Sequence, residues 1–139
     1  MDFHRVKQIV QKEHTLSENE WKGAVLFLFN EKYVFFIKRS ETMPTHGGQI
    51  AFLGGHKKDA ETSPWNVAER EFEEETGFHK KNIEILGHLP IVMTSRLQPI
   101  VPVVGKLLLE SRTFLENIAS NGEWDECLAY PWSELGTEK

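Results

Sequence analysis

A glycine pair, Gly54-Gly55, stands a short loop ahead of the run Arg70-Glu71-Phe72-Glu73-Glu74-Glu75-Thr76-Gly77-Phe78. That run and the residues leading into it carry two periodic signals at once. Trp65, Ala68 and Phe72 follow one another on a face able to anchor in a core. Glu71, Glu74 and Glu75, at i, i+3 and i+4, share a different face. Ser63 is placed to cap, Pro64 to take the first helical position, and Gly77 to terminate in a left-handed turn, so the spacing predicts a helix from Pro64 to about Thr76. Carboxylates this close repel one another, and a cation between them or a fully wet face removes the conflict. Their oxygens suit octahedral Mg²⁺, with Mn²⁺ as a substitute. Arg70, one turn from Glu74, is expected to fix its rotamer through a forked ion pair. Gly54-Gly55 lets the backbone turn sharply and approach a ligand. Together these features supply the geometry needed to hold divalent cations against a pyrophosphate.

The remaining elements are mostly strands. Phe3, Val6, Ile9 and Val10 recur near helical spacing, predicting a short leading helix that ends near His14. Gly23 to Phe29 and Tyr33 to Ile37 read as two apolar strands joined by a turn at Asn30-Glu31-Lys32. Their lack of polar alternation calls for cover on both faces. Ile50 to Leu53 reads as a short strand leading into the glycine loop. Ile83 to Leu86, Leu89 to Val92 and Val101 to Leu109 read as strands, with Pro102 interrupting the last. The stretch Phe114 to Ile118 is a short helix or a strand extension. Cys127 to Tyr130 reads as a final strand, followed by a helical turn at Pro131 to Leu135. Many strands around one strong helix indicate an α/β or α+β layered fold. We divide the chain into a leading extension, residues 1–22, and one domain, residues 23–139.

The segment from Gly55 to Phe78 resembles the Nudix box of the Nudix hydrolase superfamily. Gly55 matches its first glycine, Glu61 its acidic position, and Arg70 to Phe78 its Arg-Glu-hydrophobic-any-Glu-Glu-any-Gly-hydrophobic ending. The resemblance implies a Nudix-type α/β/α sandwich with a mixed sheet and hydrolysis of a nucleoside diphosphate linked to another group. It implies Glu71, Glu74 and Glu75 as metal carboxylates joined by the Gly55 carbonyl, with Arg70 orienting them. Eight residues separate Glu61 from Arg70, one more than the common spacing. Members similar to coenzyme A pyrophosphatases share that longer box. They also carry an upstream element resembling Arg39-Ser40 through His46-Gly47-Gly48-Gln49 to Gly54-Gly55, although their usual proline is Leu53 here. Thr94-Ser95 and Val101 to Gly105 also look like that subgroup. The ranking of substrates is therefore coenzyme A or a derivative, then nucleotide sugars or dinucleoside polyphosphates, then nucleoside triphosphates. A Nudix-like binding module without turnover is the rival class.

The resemblance also implies a late glutamate facing the metals as a ligand or as the base. Glu123 and Glu126 both stand in that region, with Glu123 favoured, and Glu74 competes with Glu123 for the role of base. Arg39, His46, Gln49 and Gly54 are candidates for substrate contacts. His56 lacks companions at zinc spacing. Trp124 and Tyr130 read as core residues before base-stacking ones. The net charge of −5, from 21 acidic and 16 basic residues, offers no long-range attraction for nucleic acid. Cys127 is the only cysteine, which excludes an intrachain disulfide. A polar start and no long apolar run predict a cytoplasmic protein without membrane insertion. A homodimer is expected by analogy with small Nudix domains.

Overall fold

The computed structural model describes residues 3–14, 16–17, 19–44 and 47–135. Its strands are β1 (Gly23–Phe29), β2 (Tyr33–Arg39), β3 (Ile50–Ala51), β4 (Leu53–His56), β5 (Ile83–His88), β6 (Val92–Met93), β7 (Pro99–Leu107) and β8 (Trp124–Pro131). The helices are α1 (Phe3–Ile9), α2 (Pro64–Thr76), α3 (Ser111–Asn117) and α4 (Trp132–Leu135), with a 3-10 turn at Lys80–Asn82. All eight strands form one sheet with the path β3-β2-β1-β7-β5, to which β4 adds beside β1, β6 beside β7 and β8 beside β2. β1 and β7 are parallel and their other partners antiparallel, giving the mixed sheet of an α+β Nudix-type fold.

Alternation along the central strands sends successive side chains to opposite faces. Ala24, Leu26 and Leu28 of β1 join Phe72, Val67 and Ala68 of α2 and Phe114 of α3 in one core. Phe29, Val34 and Val104 meet Val6 of α1 and Trp132 of α4 in the other. Both faces are thus covered, as the apolar runs require. Burying a side chain such as Phe72 stabilises the fold by about 1.5–3 kcal/mol. α1 ends at Ile9, short of His14, and Gln11 then exchanges two backbone hydrogen bonds with His88 at 2.8 and 2.9 Å. The leading segment is therefore tied to the sheet through β5. Cys127 is partly buried on β8 opposite Ile37.

The register places four strands side by side at one level. His56 of β4 pairs with Gly23, Gly23 with Ile100, and Ile100 with Val92. Along this row β4 carries the glycine pair, and β6 leads into the turn at residues 94–98.

Candidate active site

α2 forms with the caps its sequence provides. The Ser63 hydroxyl accepts from the Trp65 amide at 3.1 Å, and the N–H of Gly77, at φ 80°, donates to the Glu73 carbonyl at 3.0 Å. Gly54 and Gly55 lie within β4, against the expectation of a loop. The reason is close approach. A Cβ on Gly54 would strike the backbone of Ala24 and Val25 on β1, and one on Gly55 would strike the Glu71 carboxylate. The glycines bring α2 directly against β4, and at Gly54 a side chain would collide with the β1 backbone.

Glu75 is 4% exposed, and the Gly54 amide donates to its carboxylate at 2.9 Å. Burial pushes its carboxyl up to about 8, with the negative charges of Glu71 and Glu123 adding to the effect and Arg39 opposing it. Burial likewise raises Glu71 above the ordinary carboxylate range; Arg70 opposes this, while Glu74 and Glu123 reinforce it. Arg70 forks onto Glu61, with Nε to Oε2 at 2.7 Å and Nη2 to Oε1 at 3.0 Å, and this pairing holds Glu61 below the usual range. The fork expected on Glu74 is thus made to Glu61. Glu74 receives one bond, from Nη1 at 3.1 Å, and Glu71 another at 3.0 Å, while Nη2 also reaches the His56 carbonyl at 2.9 Å. One guanidinium therefore ties the loop before α2, the helix and β4 together.

These elements line a cleft of about 660 Å³ that Gly54, Gly55, Glu71, Arg39, Gln49 and Glu123 share. A larger concavity of about 1160 Å³ lies between Asn30, Lys106 and Arg112, far from the carboxylates. Volume alone is a poor guide here, because the smaller cleft is the one that Glu71 lines and that Gly54, the partner of Glu75, borders. Among the described residues no three His, Cys, Asp or Glu side chains form a ready metal cage. The donor chemistry nevertheless fits a hard divalent cation. Glu71 is partly buried and Glu75 buried, their ionised forms repel each other and Glu123, and all offer oxygen. A cation would relieve the repulsion that burial strengthens.

The family model of the NUDIX domain matches residues 20–134. This chain belongs to the Nudix family. It is 31% identical over 94 residues to the mouse peroxisomal coenzyme A diphosphatase NUDT7, a stretch that makes up 66% of this chain and 40% of that protein. The uncharacterized Nudix hydrolase NudL of Escherichia fergusonii is 40% identical over 68 residues, 49% of this chain and 35% of that one. The chain thus spans less than half the length of either relative. The solved Nudix hydrolase RenU of M. smegmatis superposes with a TM-score of 0.65 at 16% identity, covering 86% of this chain and 80% of the other. A C. elegans Ap4A hydrolase gives 0.62 at 16% identity, over 84% and 91% respectively. At these identities the structural likeness is one of fold.

On this Nudix scaffold the other expected residues separate. Glu74 is 45% exposed, does not line the cleft, and pairs with Lys58 at 3.6 Å while sharing Arg70 Nη1 with Glu71. Glu126 is exposed on β8 opposite Lys38 and does not line the cleft, whereas Glu123 does. The Ser40 amide holds the Glu123 backbone carbonyl at 2.9 Å. Trp124 is buried, and its indole N–H donates to the Glu75 carbonyl at 2.7 Å. Tyr130 packs edge-on against Phe36. The His46 assignment lies outside the described residues. Sequence reading missed Arg96 and Gln98, which line the opposite wall with Thr94 and Ser95. Their available signal was the polar turn between Val92-Met93 and Pro99. Leu97 there adopts φ 60°, a conformation that costs a non-glycine residue about 1–3 kcal/mol. No helix among the described residues is long and apolar enough to cross a membrane.

Proposed function

We propose that the chain hydrolyses a pyrophosphate bond in a nucleoside diphosphate-linked compound, with coenzyme A or a derivative as the preferred substrate. The observation that carries the reading is that Glu71 and Glu123 share the cleft with Gly54 and Gly55, with Glu75 bonded to the Gly54 amide, where burial disfavours the ionised carboxylates and a bound cation would stabilise them. The coenzyme A preference draws on the Arg39 to Gly55 segment, the lengthened box and the similarity to the mouse coenzyme A diphosphatase.

Glu71, Glu75 and the Gly55 carbonyl would hold Mg²⁺ or Mn²⁺, with Glu123 on the facing loop. When bound, the metal neutralises the pyrophosphate and the charge developing at the attacked phosphorus. Arg70 keeps Glu71 in place through its bonds to Glu61 and His56. Arg39 and Gln49 line the cleft where phosphate oxygens would lie. Glu123 takes a proton from water, which attacks phosphorus in line as the anhydride P–O bond breaks. The products are a nucleoside monophosphate and the phosphorylated second group. Glu123 is preferred to Glu74 as base because Glu123 lines the cleft, whereas Glu74 does not and is paired with Arg70 and Lys58.

The test is incubation with Mg²⁺ and a panel of coenzyme A, ADP-ribose, nucleotide sugars, dinucleoside polyphosphates and nucleoside triphosphates, with products identified by mass. Phosphopantetheine and adenosine 3′,5′-bisphosphate as dominant products support the full reading. Cleavage of another member keeps the chemistry and removes the coenzyme A preference. Tight binding with no product makes the chain a binding module.

A further inference from the structure

We infer that Arg96 is a specificity-determining residue that recognises an anionic group of the substrate lying outside the scissile pyrophosphate. The inference rests on the pyrophosphohydrolase reading, and its observations come from the wall facing the carboxylates.

The cleft holds two arginines at different places. Arg39 belongs to the carboxylate end, since its charge acts on Glu75. Arg96 belongs to the turn that follows β6. The row His56–Gly23–Ile100–Val92 puts β4 and β6 three strand spacings apart, roughly 14 Å. The backbone of that far turn is displaced from the glycine pair by more than the anhydride itself occupies. The partner of Arg96 is therefore a group carried on the sugar or on the second moiety.

Two further observations favour recognition over a solvated surface charge. Arg96 makes no ion pair with any described residue, although Arg70 and Arg112 both do. The turn that carries it is firmly built. The Thr94 hydroxyl accepts from the amides of Arg96 at 3.3 Å and Gln98 at 3.1 Å, and the Thr94 amide donates to the Gln98 carbonyl at 3.0 Å. An unpaired guanidinium on a braced turn lining a cleft is suited to a phosphate or carboxylate, which it can grip with two parallel N–H bonds. The opposite end of the cleft is acidic and requires cations before it can accept any anion. Arg96 therefore distinguishes substrates by what they carry beyond the anhydride.

The experiment compares matched pairs that differ by one remote phosphate, coenzyme A with dephospho-coenzyme A and NADPH with NADH. Hydrolysis and equilibrium binding are both measured with Mg²⁺ on the wild type, Arg96→Ala and Arg96→Lys. The expected result is a wild-type preference of tenfold or more in kcat/KM for the phosphorylated member of at least one pair. That preference collapses in Arg96→Ala, chiefly through KM, and is partly restored in Arg96→Lys, with thermal midpoints unchanged. No wild-type preference in either pair, or an equal decline for both members, overturns the inference. If no substrate is turned over, the functional reading fails on its own, and the binding ratio of each pair still decides for or against Arg96. Absence of binding by both members of both pairs also counts against it.

Discussion

The two walls of the cleft are built to different tolerances. On the α2 side, Glu75 is buried between the Gly54 amide and the Trp124 indole, and Arg70 joins three segments. On the β6–β7 side, Val92, Met93 and Leu97 are exposed, and the turn is braced mainly by the Thr94 hydroxyl and backbone. On the first wall a side chain at Gly54 could not be added without moving a strand. The second can exchange side chains while the sheet stays intact. Chemistry common to a family belongs on the first, and selectivity for one substrate on the second.

The largest effect expected from breaking this contrast is at Glu75. Glu75→Gln keeps an acceptor for the Gly54 amide but removes the charge, so Mg²⁺-dependent hydrolysis should fall by about 10²–10³-fold with the fold retained, as judged by circular dichroism. Unchanged turnover would remove Glu75 from the proposed metal set. Gly54→Ala, whose Cβ would meet the β1 backbone at φ 146°, should destabilise by about 1–3 kcal/mol in urea titration. On the opposite wall, Thr94→Ala should cost about 1 kcal/mol and alter KM more than kcat. A Thr94→Ala loss as large as that of Gly54→Ala would abolish the distinction between the walls. At the larger concavity, Arg112→Ala breaks an exposed pair with Glu116 and should change stability by no more than about 0.5 kcal/mol, with activity untouched.

Acidity gives an independent check on the buried wall. Glu75 titrates in the folded, metal-free protein near 8, above its ordinary 4.5. The folded state therefore keeps a proton that the unfolded chain has released. Its contribution to stability is full below 4.5 and is lost as pH rises through 8. Glu61, lowered by Arg70, acts in the opposite sense and loses its contribution only in acid. With chelator present, the thermal midpoint should fall from about pH 5 to about pH 8, and Glu75→Gln should flatten that fall. A midpoint that rises across this window in the wild type would show that Glu75 is not the dominant titrating group.

What was legible in the sequence follows the same division. The caps of α2 were readable because Ser63, Pro64 and Gly77 act through local backbone geometry. The acidic face was readable because helical period fixes it. The alternating faces of β1 and β2 followed from unbroken apolar runs. Three features were not readable, because each depends on contacts distant in sequence. Gly54-Gly55 became a strand through its pairing with Ala24 and Val25. Arg70 chose Glu61 over Glu74 because the lengthened segment before α2 folds back onto it. Glu123 and Glu126, three positions apart, were separated only by the register of β8 against Lys38 and Arg39. For Arg96 the local signal was only a polar turn; sheet pairing brought that turn to the cleft.

Order along the chain and order in space disagree at β8, which is made late yet pairs with β2. Trp124, whose indole closes on the Glu75 carbonyl, lies 49 residues downstream of its partner. At a synthesis rate of about 5–20 residues per second, the acidic helix waits roughly 2.5–10 s on the ribosome for that bond and for Glu123. During this interval the nascent chain displays an unpaired β2 edge and an open core beneath α2. Assembly of the carboxylate cluster thus coincides with closure of the sheet, and a polypeptide halted before β8 lacks the Trp124 bond to Glu75 and leaves a β2 edge open to aggregation.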